Sequence, residues 1–104
     1  MKSMDLVVEV YSITKTLPES EKFNFTSQLN RCALSVPSNI AEGAGRNSKK
    51  DFQRFLNIAT GSSYELETQL LLIKRIFKIE TELIIENLKE VQRMIFALNK
   101  SLNT

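Results

Sequence analysis

The stretch FQRFLNIATGSSYELETQLLLIKRIF, residues 52–77, decides the fold. Within it Phe52, Leu56, Ala59, Ser63, Leu66, Leu70, Ile73 and Phe77 recur at alternating intervals of four and three. That alternation lays one apolar seam along one face of an α-helix, and its mean of about 3.5 is the period of left-handed bundle packing. The helix runs to roughly 30 residues, which at 1.5 Å per residue spans about 45 Å.

Three shorter seams flank it. Leu6, Val10, Ile13 and Leu17 form the first; Phe25, Leu29, Cys32, Val36 and Ile40 the second; Ile84, Leu88, Val91, Ile95, Leu98 and Leu102 the last. No segment sustains the period-two alternation of a half-buried strand. Connections of a few residues make successive helices antiparallel neighbours. The expectation is an all-α, up-down-up-down four-helix bundle in one domain, residues 1–104.

Local signals place the helix ends. Thr16-Leu17-Pro18-Glu19 and Ser48 to Asp51 have the form of capping boxes. Asn24 is placed to cap the second helix. Gly43 and Gly45 suit its C-terminus, where glycine takes the left-handed conformation without a Cβ clash. The third helix ends within Phe77 to Glu80, and Glu80 or Thr81 opens the fourth. Pro37 interrupts the second seam between Val36 and Ile40. An interior proline removes a hydrogen bond and costs about 3 kcal/mol unless the backbone bends. Because the register continues past it, a kink at Pro37 is expected.

Composition narrows the chemistry. The 104 residues contain no histidine and a single cysteine, Cys32. Histidine-dependent triads, histidine metal ligands, cysteine clusters and intrachain disulfides are therefore absent. Gly43-Ala44-Gly45-Arg46-Asn47-Ser48 lacks the third glycine, the preceding strand and the Gly-Lys-Ser/Thr of a phosphate-binding loop. Glu65 and Glu67, two apart, point to different helix faces and make no acid–base pair. The expectation is a non-enzyme without metal or cofactor. No stretch approaches the roughly 18 apolar residues of a membrane span, and Met1 to Glu9 lacks an apolar signal core, so a cytoplasmic location is expected.

Fourteen basic and twelve acidic residues leave a net charge of +2, which permits nucleic-acid binding without arguing for it. The distribution is uneven. Between Arg31 and Arg54, the five cations Arg31, Arg46, Lys49, Lys50 and Arg54 face only Glu42 and Asp51. Lys50 and Arg54 share a helix face, and Arg46, Lys49 and Lys50 stand where the third helix begins and exposed N–H groups favour anions. This is a candidate patch for phosphate contact; the plainer reading is a solvated helix end. Lys74, Arg75 and Lys78 complement the dipole at that helix's C-terminus.

Two further features lie off the seams. Val7, Tyr11, Ile58, Leu72, Ile76, Met94 and Phe96 fit no single stripe. Wide stripes are ordinary in small bundles, but the size of these side chains points to a self-association surface. Gly61 lies within the small-residue run Ala59 to Ser63, where glycine costs about 1 kcal/mol against alanine. Close helix–helix approach, within the chain or between subunits, is the simplest use of the missing side chain.

The segments Gln28 to Gly43, with its string Ser-Val-Pro-Ser-Asn-Ile-Ala-Glu-Gly at 35–43, and Ile58 to Glu67 resemble the four-helix bundle proteins encoded within intervening sequences of bacterial large-subunit ribosomal RNA genes. The resemblance covers nearly the whole chain. It implies a homopentamer. It also implies kinship with the accessory protein of diversity-generating retroelements, which binds nucleic acid through a basic surface. By that similarity Arg31, Arg46, Lys49, Lys50 and Arg54 are the nucleic-acid-binding residues. Pro37, Ser38, Asn39, Glu42, Gly43, Gly61 and Glu65 are the motif residues, serving either RNA contact or the backbone around the kinked helix. The function so implied is binding of RNA or DNA, structured RNA foremost, by a homo-oligomer. The rival is an oligomeric scaffold or accessory subunit that captures a protein partner without touching nucleic acid.

Overall fold

Helices form where the four seams lie: α1 Lys2–Thr14, α2 Ser27–Ala44, α3 Lys49–Phe77 and α4 Glu82–Ser101. The computed structural model describes residues 1–103, and no strand occurs among them. The molecule measures 45 × 23 × 19 Å, its long dimension matching the reach of α3.

Each helix lies against its neighbours in sequence, and α1 closes the ring against α4, so α1 and α3 occupy opposite corners. Polar pairs record the antiparallel register. Along α2 and α3, Arg31 meets Glu65 and Ser35 meets Ser62. Along α3 and α4, Lys74 meets Glu82, Glu67 meets Gln92, and Asn57 meets Asn99. Lys2 pairs with Glu90 at 2.8 Å between α1 and α4, and this contact holds the Glu90 carboxyl below its ordinary range. The bundle is therefore up-down-up-down and all-α.

The seams are the core. From Leu56 to Ile73 every seam residue of α3 is buried, with Phe52 and Phe77 half-buried at the ends. Leu6, Val10, Leu29, Cys32, Val36 and Leu88 close the interior from the other three helices. Of all the seam positions, Leu98 alone is exposed. Phe25 and Phe77 meet edge to face at 6.0 Å and close one end of the core.

Several end signals resolve differently from their sequence expectation. Ser48 does cap α3, its Oγ accepting from Asp51 N at 3.1 Å. The box at Thr16 does not form: Thr16 donates to Ile13 O, and Pro18 leads into a single 3₁₀ turn, Glu19–Glu21. Asn24 does not cap α2. It sits inside a wide turn, Lys22–Thr26, with φ −114° and ψ −105°, and the helix begins three residues later. The kink expected at Pro37 is not confirmed: α2 is one element through the buried proline, and the non-helical backbone lies upstream at Asn24. Gly45 ends α2 in a right-handed conformation, φ −83°, so no left-handed cap is used there. The left-handed cap belongs to Lys78, φ 60°, at the end of α3. Glu80 then opens α4 by accepting from Glu82 N at 2.8 Å.

The close approach expected at Gly61 falls instead at Gly43. A Cβ on Gly43 would lie 2.8 Å from Phe55 Cβ and 2.9 Å from Phe52 Cδ1, so α2 and α3 approach too closely there for a side chain. A Cβ on Gly61 would meet nothing within 4 Å. Close approach within the chain is thereby excluded as the reason for Gly61.

Cys32 lies inside this core with Gln69 Nε2 3.8 Å from its sulfur. Burial, reinforced by the neighbouring Glu65 carboxylate, pushes the thiol up to about 11. The folded protein therefore holds this proton to higher pH than the unfolded chain, whose thiol titrates near 8.5, so ionisation favours unfolding as pH rises from about 8.5 to about 11. Two results are expected. Native protein at pH 8 reacts with a maleimide far more slowly than urea-unfolded protein. The Cys32→Ala variant loses less stability than the parent between pH 8.5 and 11, as read by urea titration.

Candidate nucleic-acid interface

Antiparallel packing brings the start of α1, the end of α2, the start of α3 and the end of α4 to one end of the bundle. The turn between α2 and α3 places Arg46, Lys49, Lys50 and Arg54 there together. Phe55 organises them. Its side chain is mostly buried, with Cβ against Gly43, and its ring carries the Arg46 guanidinium at 4.9 Å from its centroid and that of Arg54 at 4.4 Å. Cation–π contact of this kind is worth about 0.5–1 kcal/mol at exposed sites, which biases two flexible side chains toward one ring.

The guanidinium groups remain accessible. Arg46 pairs with Glu42 at 2.9 Å and Arg54 with Asp51 at 3.8 Å, and all four side chains are substantially solvated. Exposed pairs of this kind contribute about 0–1 kcal/mol and leave the N–H forks able to turn to another anion. Lys49 and Lys50 are exposed in the first turn of α3, beside the backbone N–H groups that Ser48 caps only in part. The cluster is a set of N–H donors and positive charges, accompanied by the Glu42 and Asp51 carboxylates. Among the described residues, no group of three or more histidine, cysteine, aspartate or glutamate side chains is placed to hold a metal.

Arg31 is not part of this end. It lies fifteen residues back along α2, about 22 Å at 1.5 Å per residue, and is tied to Gln28 at 2.6 Å and Glu65 at 3.2 Å. Glu65 thus serves the α2–α3 seam. Asn39 donates to Ser35 O at 2.8 Å and to Ser35 Oγ at 2.9 Å, and Ser35 Oγ meets Ser62 Oγ at 2.8 Å. This polar chain joins α2 to α3 one turn from Pro37. Ser38 is exposed on the outer face of α2, and Glu42 is occupied by Arg46. Lys74 and Lys78 bond Glu82 and Arg75 O at the opposite end, in keeping with a helix C-terminus. Phe55 neighbours the basic patch in sequence and is mostly buried, but it lies off the α3 seam. It lies one position before Leu56, and only the fold-back of α2 on α3 brings Arg46 to it.

These features define a small antiparallel four-helix bundle with a basic end organised on one aromatic ring. The family model for the 23S rRNA-intervening sequence protein matches residues 1–100, and the chain belongs to that family. The fold is similar to the crystal structure of a protein of unknown function from the S23 ribosomal protein family of Bacteroides thetaiotaomicron. The TM-score is 0.87 and the identity 28%, over 95% of both chains. No curated protein matches the chain. No helix among the described residues is long and apolar enough to cross a membrane.

Proposed function

We propose that this chain is a non-enzymatic, cytoplasmic nucleic-acid-binding protein that acts as a homo-oligomer and recognises the phosphate backbone of structured RNA. The observation that carries the reading is the placement of Arg46 and Arg54 on the Phe55 ring beside Lys49 and Lys50. Four cations at one end of a bundle whose net charge is only +2 make that end the positive pole of the molecule. No exposed aromatic ring stands in the cluster, so phosphate contact without base stacking is the chemistry it supports. The family's name, 23S rRNA-intervening sequence protein, supports a ribosomal RNA context. Repetition of the patch around an oligomer, a pentamer by family resemblance, multiplies a modest charge into a binding surface.

The test is fluorescence anisotropy with a folded ribosomal RNA fragment across a salt series. Affinity is expected to fall linearly in log salt. The triple variant Lys49→Glu, Lys50→Glu, Arg54→Glu is expected to bind roughly tenfold more weakly or worse and to show a shallower salt slope. Arg31→Glu is expected to change affinity much less. Unchanged affinity in the triple variant rejects this site. Absence of binding at low salt favours the rival scaffold reading, which the exposed apolar side chains of α1 and α3 support.

A further inference from the structure

Lys22-Phe23-Asn24-Phe25 makes up most of the wide turn before α2. Across the non-helical backbone at Asn24 the two aromatic side chains part. Phe25 meets Phe77 at the core, while Phe23 is 85% exposed. One exposed apolar residue is ordinary in itself. What surrounds Phe23 is not.

Phe23, Asn24, Phe25, Gln28 and Gln69 line an open cavity of about 240 Å³ between this turn and α3. That lies just below the roughly 300–1,000 Å³ of pockets for drug-sized ligands, so it suits one ring system rather than a larger molecule. Its polar lining is carboxamide, without a carboxylate, and each carboxamide is short of a partner. Gln69 Nε2 lies 3.4 Å from a Glu65 carboxylate oxygen. An ionised carboxylate only accepts, so the amide nitrogen belongs on that side. Gln69 Oε1 is then buried without a partner, a costly state that a donor from a ligand would relieve. Gln28 Oε1 accepts from Arg31 at 2.6 Å, which leaves its amide hydrogens to give. The exposed Asn24 carboxamide bonds nothing among the described residues. Lys22 Nζ stands 5.7 Å from the Phe23 centroid and forms no ion pair among those residues.

Two other cavities lack this combination. In the one between Tyr64 and Phe96 the polar groups are engaged: Lys89 pairs with Glu67 at 3.9 Å, Gln92 donates to Glu67 at 3.0 Å, and Arg93 faces Glu90 at 4.0 Å. The one beside Met94 and Leu98 has no aromatic ring and no carboxamide.

A ligand suited to the Phe23 pocket has a flat face for the ring, an edge carrying both donors and acceptors, and a negative charge close by. An unstacked nucleobase with its phosphate has all three. Going beyond the phosphate contact at the basic end, we infer that this pocket takes one unstacked nucleobase. Its face lies on Phe23, its edge on the carboxamides of Asn24, Gln28 and Gln69, and its phosphate at Lys22. Gln69 stands about 28 Å along α3 from Lys50, at 1.5 Å per residue, so the two sites are separate. The pocket supplies the base contact that the basic end lacks.

The test uses two RNA hairpins, one fully paired and one with a single bulged adenosine, read by fluorescence anisotropy. The bulged hairpin is expected to bind roughly fivefold or more tightly than the paired one, the gain from stacking one base on an aromatic ring. Phe23→Leu and Gln28→Ala, both at exposed positions, are expected to lose that preference while keeping helical circular dichroism and affinity for the paired hairpin. Phe23→Tyr is expected to keep it. The triple variant Lys49→Glu, Lys50→Glu, Arg54→Glu is expected to weaken both hairpins alike, so failure of the basic end and failure of the pocket are read separately. Calorimetry with adenosine monophosphate separates the two sources of a base. Binding that Phe23→Leu abolishes, without a preference for the bulge, assigns the pocket to a free nucleotide. Equal affinity for the two hairpins together with no binding of the mononucleotide overturns the proposal and leaves the basic end standing. A preference for the bulge that survives in Phe23→Leu overturns it as well. So does a Phe23→Leu variant altered only in self-association by sedimentation, which would give the ring to a contact between copies.

Discussion

Leu70→Ala is expected to destabilise the protein by about 2–5 kcal/mol, the range for removing a fully buried leucine from a packed interior. Leu70 has no exposed surface and belongs to the core cluster to which all four helices contribute. The loss combines the transfer energy of the deleted carbons with a cavity that rigid helices close only in part. In urea titration the midpoint should fall with little change in slope, since the surface exposed on unfolding is nearly the same. Leu34→Ala is the control. That side chain is 51% exposed on α2, and its removal is expected to cost less than about 1 kcal/mol. Equal losses at the two positions would contradict the assignment of the core face.

The second large effect is a contrast between two glycines. Gly43→Ala is expected to cost about 1–3 kcal/mol, the usual penalty for overfilling a packed contact. The new methyl would sit 2.8 Å from Phe55 Cβ and 3.3 Å from the Phe52 carbonyl oxygen, and neither atom can withdraw without moving the α3 backbone. Phe55 would be displaced with it, so RNA affinity should fall together with stability. Gly61→Ala is expected to act in the opposite direction, raising the stability of the isolated bundle by up to about 1 kcal/mol. The helix gains propensity and the added methyl meets nothing in the chain. Thermal unfolding of both variants reads the two signs directly. A loss at Gly61 as large as that at Gly43 would refute the open position assigned to it.

These glycines also show how far the sequence can be read. Both lie at helical register positions, and both motif segments contain one. Nothing local distinguishes the glycine pressed against a neighbouring helix from the one facing outward. Pro37 is a similar case: its effect on α2 depends on what surrounds the ring as much as on the lost N–H. The cations behave the same way. Arg31 and Arg46 belong to one charge-rich stretch, yet one is tied to Glu65 at mid-bundle and the other stacks on Phe55 at the end.

The sequence by itself determined the number of helices, their faces, the length of α3 and the core residues, because four-three spacing is a property of one helix and is written along one chain. It also determined that histidine and cysteine-cluster chemistry are absent. Tertiary structure alone decided where α2 and α3 touch, which guanidinium groups share a ring, and which apolar side chains remain uncovered. Those outcomes depend on the offset and angle between helices, and these emerge only when all four seams are packed against one another.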